Sequence, residues 1–272
     1  MLKFDANLSQ LYTELSFLDR FAAAAADGFT GVEYRGPYDF PKEVVAEKLA
    51  ETGLTQALFN LPAGNWGAGE RGIGCLPGRE AEFRDGLDIA IDYARALGCT
   101  RLHCLAGIAP AGVPYETLEA VLVANLRYAA ERLADHGIKL LLEAINQRDV
   151  PGCLVSTTDR FEAIFDKVGS DNFYLQYDFY HMQVMQGDLI ATFERLQPRI
   201  AHVQVADNPG RHEPGTGEIN YQRIFEALDR LGYDGWVGCE YVPATTTTAG
   251  LGWMRDYHHS QNVIPAKAGT QF

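Results

Sequence analysis

Four short runs in the second half of the chain each lead to an oxygen-bearing side chain. Leu140-Leu141-Leu142 ends in Glu143, Phe173 to Tyr177 in Asp178, His202-Val203 in Gln204, and Trp236 to Cys239 in Glu240. As neighbouring strands of one sheet, these runs bring three carboxylates and an amide to a common rim. Like charges in a low dielectric cannot all stay ionised, and burying them unpaired is costly. A divalent cation removes that conflict. Oxygen donors are hard ligands and suit Mg or Mn better than zinc, with Mg the first expectation. A single strand-end carboxylate is more often a helix cap or a salt-bridge partner. Four in succession point to a metal site at Glu143, Asp178, Gln204 and Glu240.

Such a site needs strands that stop side by side. Strand-like runs cover Leu2–Asn7, Gly31–Tyr34, Leu54–Asn60, Arg101–Leu105, Lys139–Glu143, Phe173–Asp178, Ala201–Val205 and Trp236–Glu240. Amphipathic stretches lie between them. Thr117 to Ala134 puts Leu118, Val121, Leu122, Leu126, Ala129 and Leu133 on one face at helical spacing, and Glu80–Leu97 and Tyr221–Leu231 read the same way. Gly28, Gly98, Gly137 and Gly232 follow helical runs as C-terminal stops. Eight strands alternating with helices mean parallel pairing. A doubly wound sheet would carry a glycine fingerprint after its first strand, where this chain has Asn7-Leu8-Ser9-Gln10. A single-domain α/β (β/α)8 TIM barrel over residues 1–257 is therefore expected, and 272 residues fit one. Residues 258–272, with few charges and no period, read as a loosely ordered C-terminal tail.

Composition narrows the function. With 23 Lys plus Arg against 36 Asp plus Glu, the net charge of -13 disfavours a nucleic-acid partner. No apolar run approaches the ~20 residues of a membrane span, and no signal peptide opens the chain. Five cysteines without a C-x-x-C pair fit a reducing compartment. A soluble cytoplasmic protein is expected.

Long stretches make the reading specific. Asn60-Leu-Pro-Ala-Gly-Asn-Trp-Gly-Ala-Gly-Glu-Arg-Gly72, Gln176-Tyr-Asp-Phe-Tyr-His-Met-Gln183, His202-Val-Gln-Val-Ala-Asp-Asn-Pro209, Glu213-Pro-Gly-Thr-Gly-Glu-Ile-Asn-Tyr221 and Gly235-Trp-Val-Gly-Cys-Glu-Tyr241 resemble the hydroxypyruvate isomerase family of xylose-isomerase-like barrels. The resemblance spans roughly Met1 to Tyr257. It implies interconversion of hydroxypyruvate and tartronate semialdehyde, a small hydroxy-oxo acid pair. It also implies Glu143 and Glu240 as proton donor and acceptor, and Glu143, Asp178, Gln204 and Glu240 as metal ligands. Related sugar epimerases usually have His where this chain has Gln204, which favours the isomerase branch. Homo-oligomers are common among such barrels and are implied by the resemblance alone.

Moving a carbonyl between adjacent carbons takes a proton from one carbon and returns one to its neighbour through an enediol. Two carboxylates flanking the substrate suit that exchange, and a cation suits the charge developing on oxygen. Four further residues are candidates for substrate contact. His181 stands in the loop after strand 6, where resemblance to the sugar epimerases implies a donor to a substrate oxygen, and Arg211 in the loop after strand 7, where a guanidinium would match a carboxylate with two hydrogen bonds. Glu70 and Arg71 lie in a glycine-rich loop that has the makings of a lid. His103, mid-strand, reads as a core histidine, and Pro214-Gly-Thr-Gly217 lacks the lysine and spacing of a phosphate loop. The alternatives are a 2-oxo-tetronate isomerase or a ketose 3-epimerase using the same site, a metal-dependent endonuclease, which only 7 His and the acidic balance disfavour, and a non-catalytic sugar-acid binder.

Overall fold

Eight strands pair in parallel, each with the next: Lys3–Asn7 (β1), Gly31–Tyr34 (β2), Thr55–Asn60 (β3), Arg101–Cys104 (β4), Lys139–Glu143 (β5), Phe173–Asp178 (β6), Ile200–Val205 (β7) and Trp236–Cys239 (β8). β8 returns to pair with β1 and closes the barrel. This is a computed structural model, and it describes residues 1–255 and 257. The expectation for residues 258–272 lies outside the described residues. The strand spans read from the sequence agree to within one residue at each end.

The strands are buried on both faces, and the period of two decides what each face meets. Leu140 and Leu142 of β5 join the large core under the helices. Leu141 packs instead with Leu58 and Ala201, with Tyr174 against them, in a small separate cluster. That cluster is an apolar plug inside the barrel. Glu143, two residues beyond Leu141, therefore points inward and above it.

The helices Arg20–Ala26 (α1), Lys42–Thr52 (α2), Glu80–Leu97 (α3), Tyr115–Ala134 (α4), Thr158–Val168 (α5), Phe179–Met185 (α6), Leu189–Leu196 (α7), Tyr221–Arg230 (α8) and Thr247–Gly250 (α9) cover the outside. α3 buries Phe83, Leu87, Ala90, Ile91, Ala94 and Leu97, the three- and four-residue spacing of one face, and ends at Gly98, whose φ of 65° is left-handed. α4 starts at Tyr115, two residues before the Thr117 start of its apolar period, directly after Pro114, whose backbone is extended (φ -59°, ψ 141°). Among the described residues no helix is long and apolar enough to cross a membrane.

Candidate active site

Glu143 closes β5, Asp178 closes β6, and Glu240 is the first residue after β8. Each offers an oxygen, and His181 a ring nitrogen, that all lie within 4.8 Å of one another. Asp178 serves two neighbours at once. Its Oδ1 accepts the backbone N–H groups of Tyr180 (2.7 Å) and His181 (3.4 Å), capping α6. That cap starts α6 directly at the strand end, so His181 stands on the first turn of a helix, buried over the barrel, and not on an open loop. The other oxygen, Asp178 Oδ2, is buried without a hydrogen bond, as is Glu143 Oε1. Buried oxygens of this kind are rare because the desolvation cost falls on the folded state. Two of them converging with a third carboxylate is a donor set that fits a hard divalent cation.

The electrostatics agree. Burial pushes Glu143 well above the usual carboxylate range, and Glu240 and Asp178 push it further. Burial raises Glu240 to about 7 and Asp178 to about 6, with Arg211 opposing both. Without a cation, protonation is what relieves the crowding of like charge.

Gln204 is fixed from below. Its Nε2 donates to Glu33 Oε1 at 2.6 Å, which turns Oε1 the other way, where it accepts from Gln176 Nε2 at 2.7 Å. Asn7 Nδ2 also bonds Glu33 Oε1 (2.8 Å), and the His202 ring reaches Glu33 Oε2 at 2.6 Å. Burial alone would raise Glu33, but His202, Gln204 and Asn7 together hold it below the ordinary range. Asp5 beside it is pushed well up by burial and by Glu33. Asp5, Glu33 and His202 form a second close group of ionisable atoms, fully buried. Within it Glu33 is paired with His202, while both Asp5 oxygens and His202 Nδ1 are buried without a hydrogen bond. The sequence reading missed it, although acids inside the apolar runs Phe4-Asp5-Ala6 and Val32-Glu33-Tyr34 were a usable signal.

The tautomer of His181 follows from its partner. Asn146 Oδ1 accepts the backbone N–H of Asp149 (2.7 Å), so Asn146 Nδ2 faces His181 Nδ1 at 2.6 Å and donates to it. The ring proton then sits on Nε2, 3.5 Å from both Glu143 Oε1 and Asp178 Oδ2. Burial holds His181 well below its ordinary pKa, and Arg211 adds to this, so the ring is neutral. A protonated Nε2 donates hydrogen bonds and does not ligate a metal. His103 is buried in the cavity wall, with Nδ1 on Asn60 Oδ1 (3.1 Å) and Nε2 unbonded 3.8 Å from Glu143. It is a wall residue of the site and not a fully satisfied core histidine.

The cavity above these groups holds about 210 Å³. That is below the ~300–1,000 Å³ of pockets for drug-sized ligands and suits a molecule of a few carbons. Arg211 lines it, at φ 55°, with Nη2 2.8 Å from Glu240 Oε2 and 3.9 Å from Asp178 Oδ2, and Nη1 3.5 Å from Asp149. Arg71 also lines it, lying over Trp66. Glu70 stays outside the lining: it accepts the Asn65 backbone N–H and pairs with Arg79, bracing the loop from within. Arg35, unremarked in the sequence, stands at the rim beside Trp66. In the Pro214–Gly217 loop the amides of Gly215 and Gly217 both donate to Asp207 Oδ2, so they are not turned to an anion.

A closed (β/α)8 barrel with convergent inward carboxylates at the carboxyl ends of its strands defines a barrel enzyme. Residues 21–257 match the xylose isomerase-like TIM barrel family, and the chain belongs to it. It is 53% identical to hydroxypyruvate isomerase of Escherichia coli (strain K12) over 94% of this chain and all of that one. It is 48% identical to 2-oxo-tetronate isomerase of Cupriavidus necator, over 94% and 99% of the two chains. A solved structure described as an AP endonuclease, family 2, from Brucella melitensis superposes with a TM-score of 0.92 at 46% identity, covering 94% and 99%. The protein is an enzyme of the isomerase class.

Proposed function

We propose that the enzyme interconverts hydroxypyruvate and tartronate semialdehyde by proton transfer between neighbouring carbons. The observation that carries this reading is the convergence of Glu143, Asp178 and Glu240, the first two each with a buried unbonded oxygen, beside a cavity of about 210 Å³ that Glu143 and Glu240 line. The 53% identity to hydroxypyruvate isomerase supports the choice of substrate.

Glu143 and Glu240 reach the cavity from β5 and from the end of β8, two separated walls of the barrel. One takes the proton from C3 of hydroxypyruvate, and the other returns one to C2. The enediol between them needs its oxygens stabilised. His181, with its proton on Nε2, donates to a substrate oxygen, and Asn146 keeps that proton in place. Burial supports both acids, since a carboxyl raised toward neutrality can hold as well as take a proton. A divalent cation, Mg before Mn, held by Glu143, Asp178, Gln204 and Glu240, would supply Lewis-acid stabilisation of the developing oxyanion. Gln204 lines the cavity with its amide fixed by Glu33, and its Oε1, which accepts from Gln176 Nε2 at 2.7 Å, would exchange that hydrogen bond for the cation.

The 2-oxo-tetronate isomerases among the relatives support a second reading, the same chemistry on a four-carbon 2-oxo acid. A net charge of -13 and a small cavity of about 210 Å³ disfavour endonuclease action on a phosphate backbone. Turnover measured with three- to six-carbon oxo acids and ketoses, after chelation and after return of Mg, tests the proposal. Highest kcat/KM on hydroxypyruvate with strict metal dependence is expected. Preference for a neutral ketose, or full activity in chelator, contradicts it.

A further inference from the structure

The substrate of the proposed reaction is an anion entering a strongly acidic protein, so something at the cavity must receive its carboxylate. Arg211 is the obvious cation, but its donors are spent. Glu240, Asp149 and Asp178 all lie within 4 Å of its guanidinium, and the group also sits 5.1 Å from the Tyr180 ring. It balances the site's own carboxylates.

Across the cavity mouth the arrangement is the reverse. Arg35 leaves the end of β2, and Arg71 comes from the loop after β3. Their guanidinium carbons lie 4.7 and 3.9 Å from the Trp66 ring. Among the described residues neither guanidinium has a carboxylate within 4 Å. The Arg35 side chain makes no hydrogen bond there. Arg71 spends only Nη1, on the carbonyls of Trp66 (3.1 Å) and Glu70 (2.7 Å). All three side chains line the same cavity as Glu143 and Glu240. A guanidinium stacked on an aromatic ring keeps its edge open for the two parallel hydrogen bonds a carboxylate accepts. Arg71, held by two carbonyls, has little freedom left to lose on binding.

We propose that Arg35 and Arg71, steadied on Trp66, form the carboxylate anchor of the substrate, selecting acids over neutral sugars, and that Arg211 does not serve this role. The proposal rests on the isomerase reading for its substrate and on the cavity mouth for its residues. Docking the carboxylate at the mouth leaves C2 and C3 of a three-carbon acid pointing toward Glu143 and Glu240.

The test uses the metal-loaded enzyme and two probes that cannot isomerise: glycerate, which carries the carboxylate, and glycerol, which has a hydroxymethyl group in its place. Titration calorimetry gives their Kd for wild type, Arg35→Met and Arg71→Met. Arg35→Met is the decisive variant, because folding uses none of its side-chain hydrogen bonds; Arg71→Met also loosens the loop. Expected are about tenfold weaker glycerate binding in each variant and unchanged, weak glycerol binding. The KM for hydroxypyruvate should rise by a like factor, with kcat within about threefold. Glycerate binding as in wild type in Arg35→Met overturns the anchor, as does equal binding of glycerate and glycerol by wild type. If wild type binds glycerate through Arg35 but leaves hydroxypyruvate unchanged, the reaction assignment fails and the anchor stands. If it turns over hydroxypyruvate with the same KM in both variants, the anchor fails and the reaction stands.

Discussion

Removing one negative charge from the rim should stabilise the metal-free protein at alkaline pH. Burial raises Glu240 from the ordinary 4.5 to about 7. A carboxyl whose native pKa is raised binds its proton more tightly folded than unfolded, so stability is lost as pH rises from 4.5 and the loss is complete above 7. At ~1.4 kcal/mol per pKa unit the deficit is roughly 3 kcal/mol at pH 8 and about 1 kcal/mol at pH 5. The attraction of Arg211, 2.8 Å away, already offsets part of it. Glu240→Gln keeps the shape and deletes the charge. In the presence of a chelator, urea unfolding at pH 8 should show the variant more stable by up to roughly 3 kcal/mol, or roughly 6 °C in Tm for a chain of this size. The gap should narrow to about 1 kcal/mol or less at pH 5. Mg at about a thousandfold above the wild-type Kd should reverse the order at pH 8, because it adds about 4 kcal/mol to the form that binds it. A variant less stable than wild type at pH 8 without metal would refute the claim that the buried Glu240 charge is a net cost to the metal-free fold.

Other consequences are equally direct. With metal occupancy measured, Glu143→Gln and Glu240→Gln should each lower kcat by at least ~10²–10⁴-fold, and wild-type turnover in either removes it from the proton path. Asn146→Leu frees the His181 tautomer; nitrogen chemical shifts of the ring should show mixed protonation, and kcat should fall about tenfold or more. Gly238→Ala would place a methyl 2.5 Å from the Glu33 carboxylate, and denaturant unfolding should show a loss of about 1–3 kcal/mol. Leu141→Ala empties the plug below the site and should cost about 2–5 kcal/mol, read the same way.

The barrel was legible because each strand is a short apolar run and the helices Glu80–Leu97, Tyr115–Ala134 and Tyr221–Arg230 carry a clear period. Leu140 and Leu142 facing helices and Leu141 facing inward follow from alternation alone. The rim residues Glu143, Asp178 and Glu240 were legible for the same reason, as polar ends of apolar runs. Geometry beyond the strand ends was not. Asp178 reads as a strand end, but whether its cap draws His181 into a helix depends on hydrogen bonds made after folding. Arg211 and Arg35 are both loop or rim arginines by sequence. Only three-dimensional proximity reveals that the first is taken by Glu240 and the second lies open on Trp66. The Glu33 network was hidden because its partners Asn7, His202 and Gln204 come from β1 and β7, far apart in the chain.

The central claim is enediol proton transfer within this cavity. The measurement that tests it most directly is proton NMR of the Mg-reconstituted enzyme with hydroxypyruvate in deuterated water. Appearance of tartronate semialdehyde, with deuterium entering at the carbon beside the carbonyl, is the expected result. With metal demonstrably bound, the absence of both product and exchange would contradict the assigned reaction.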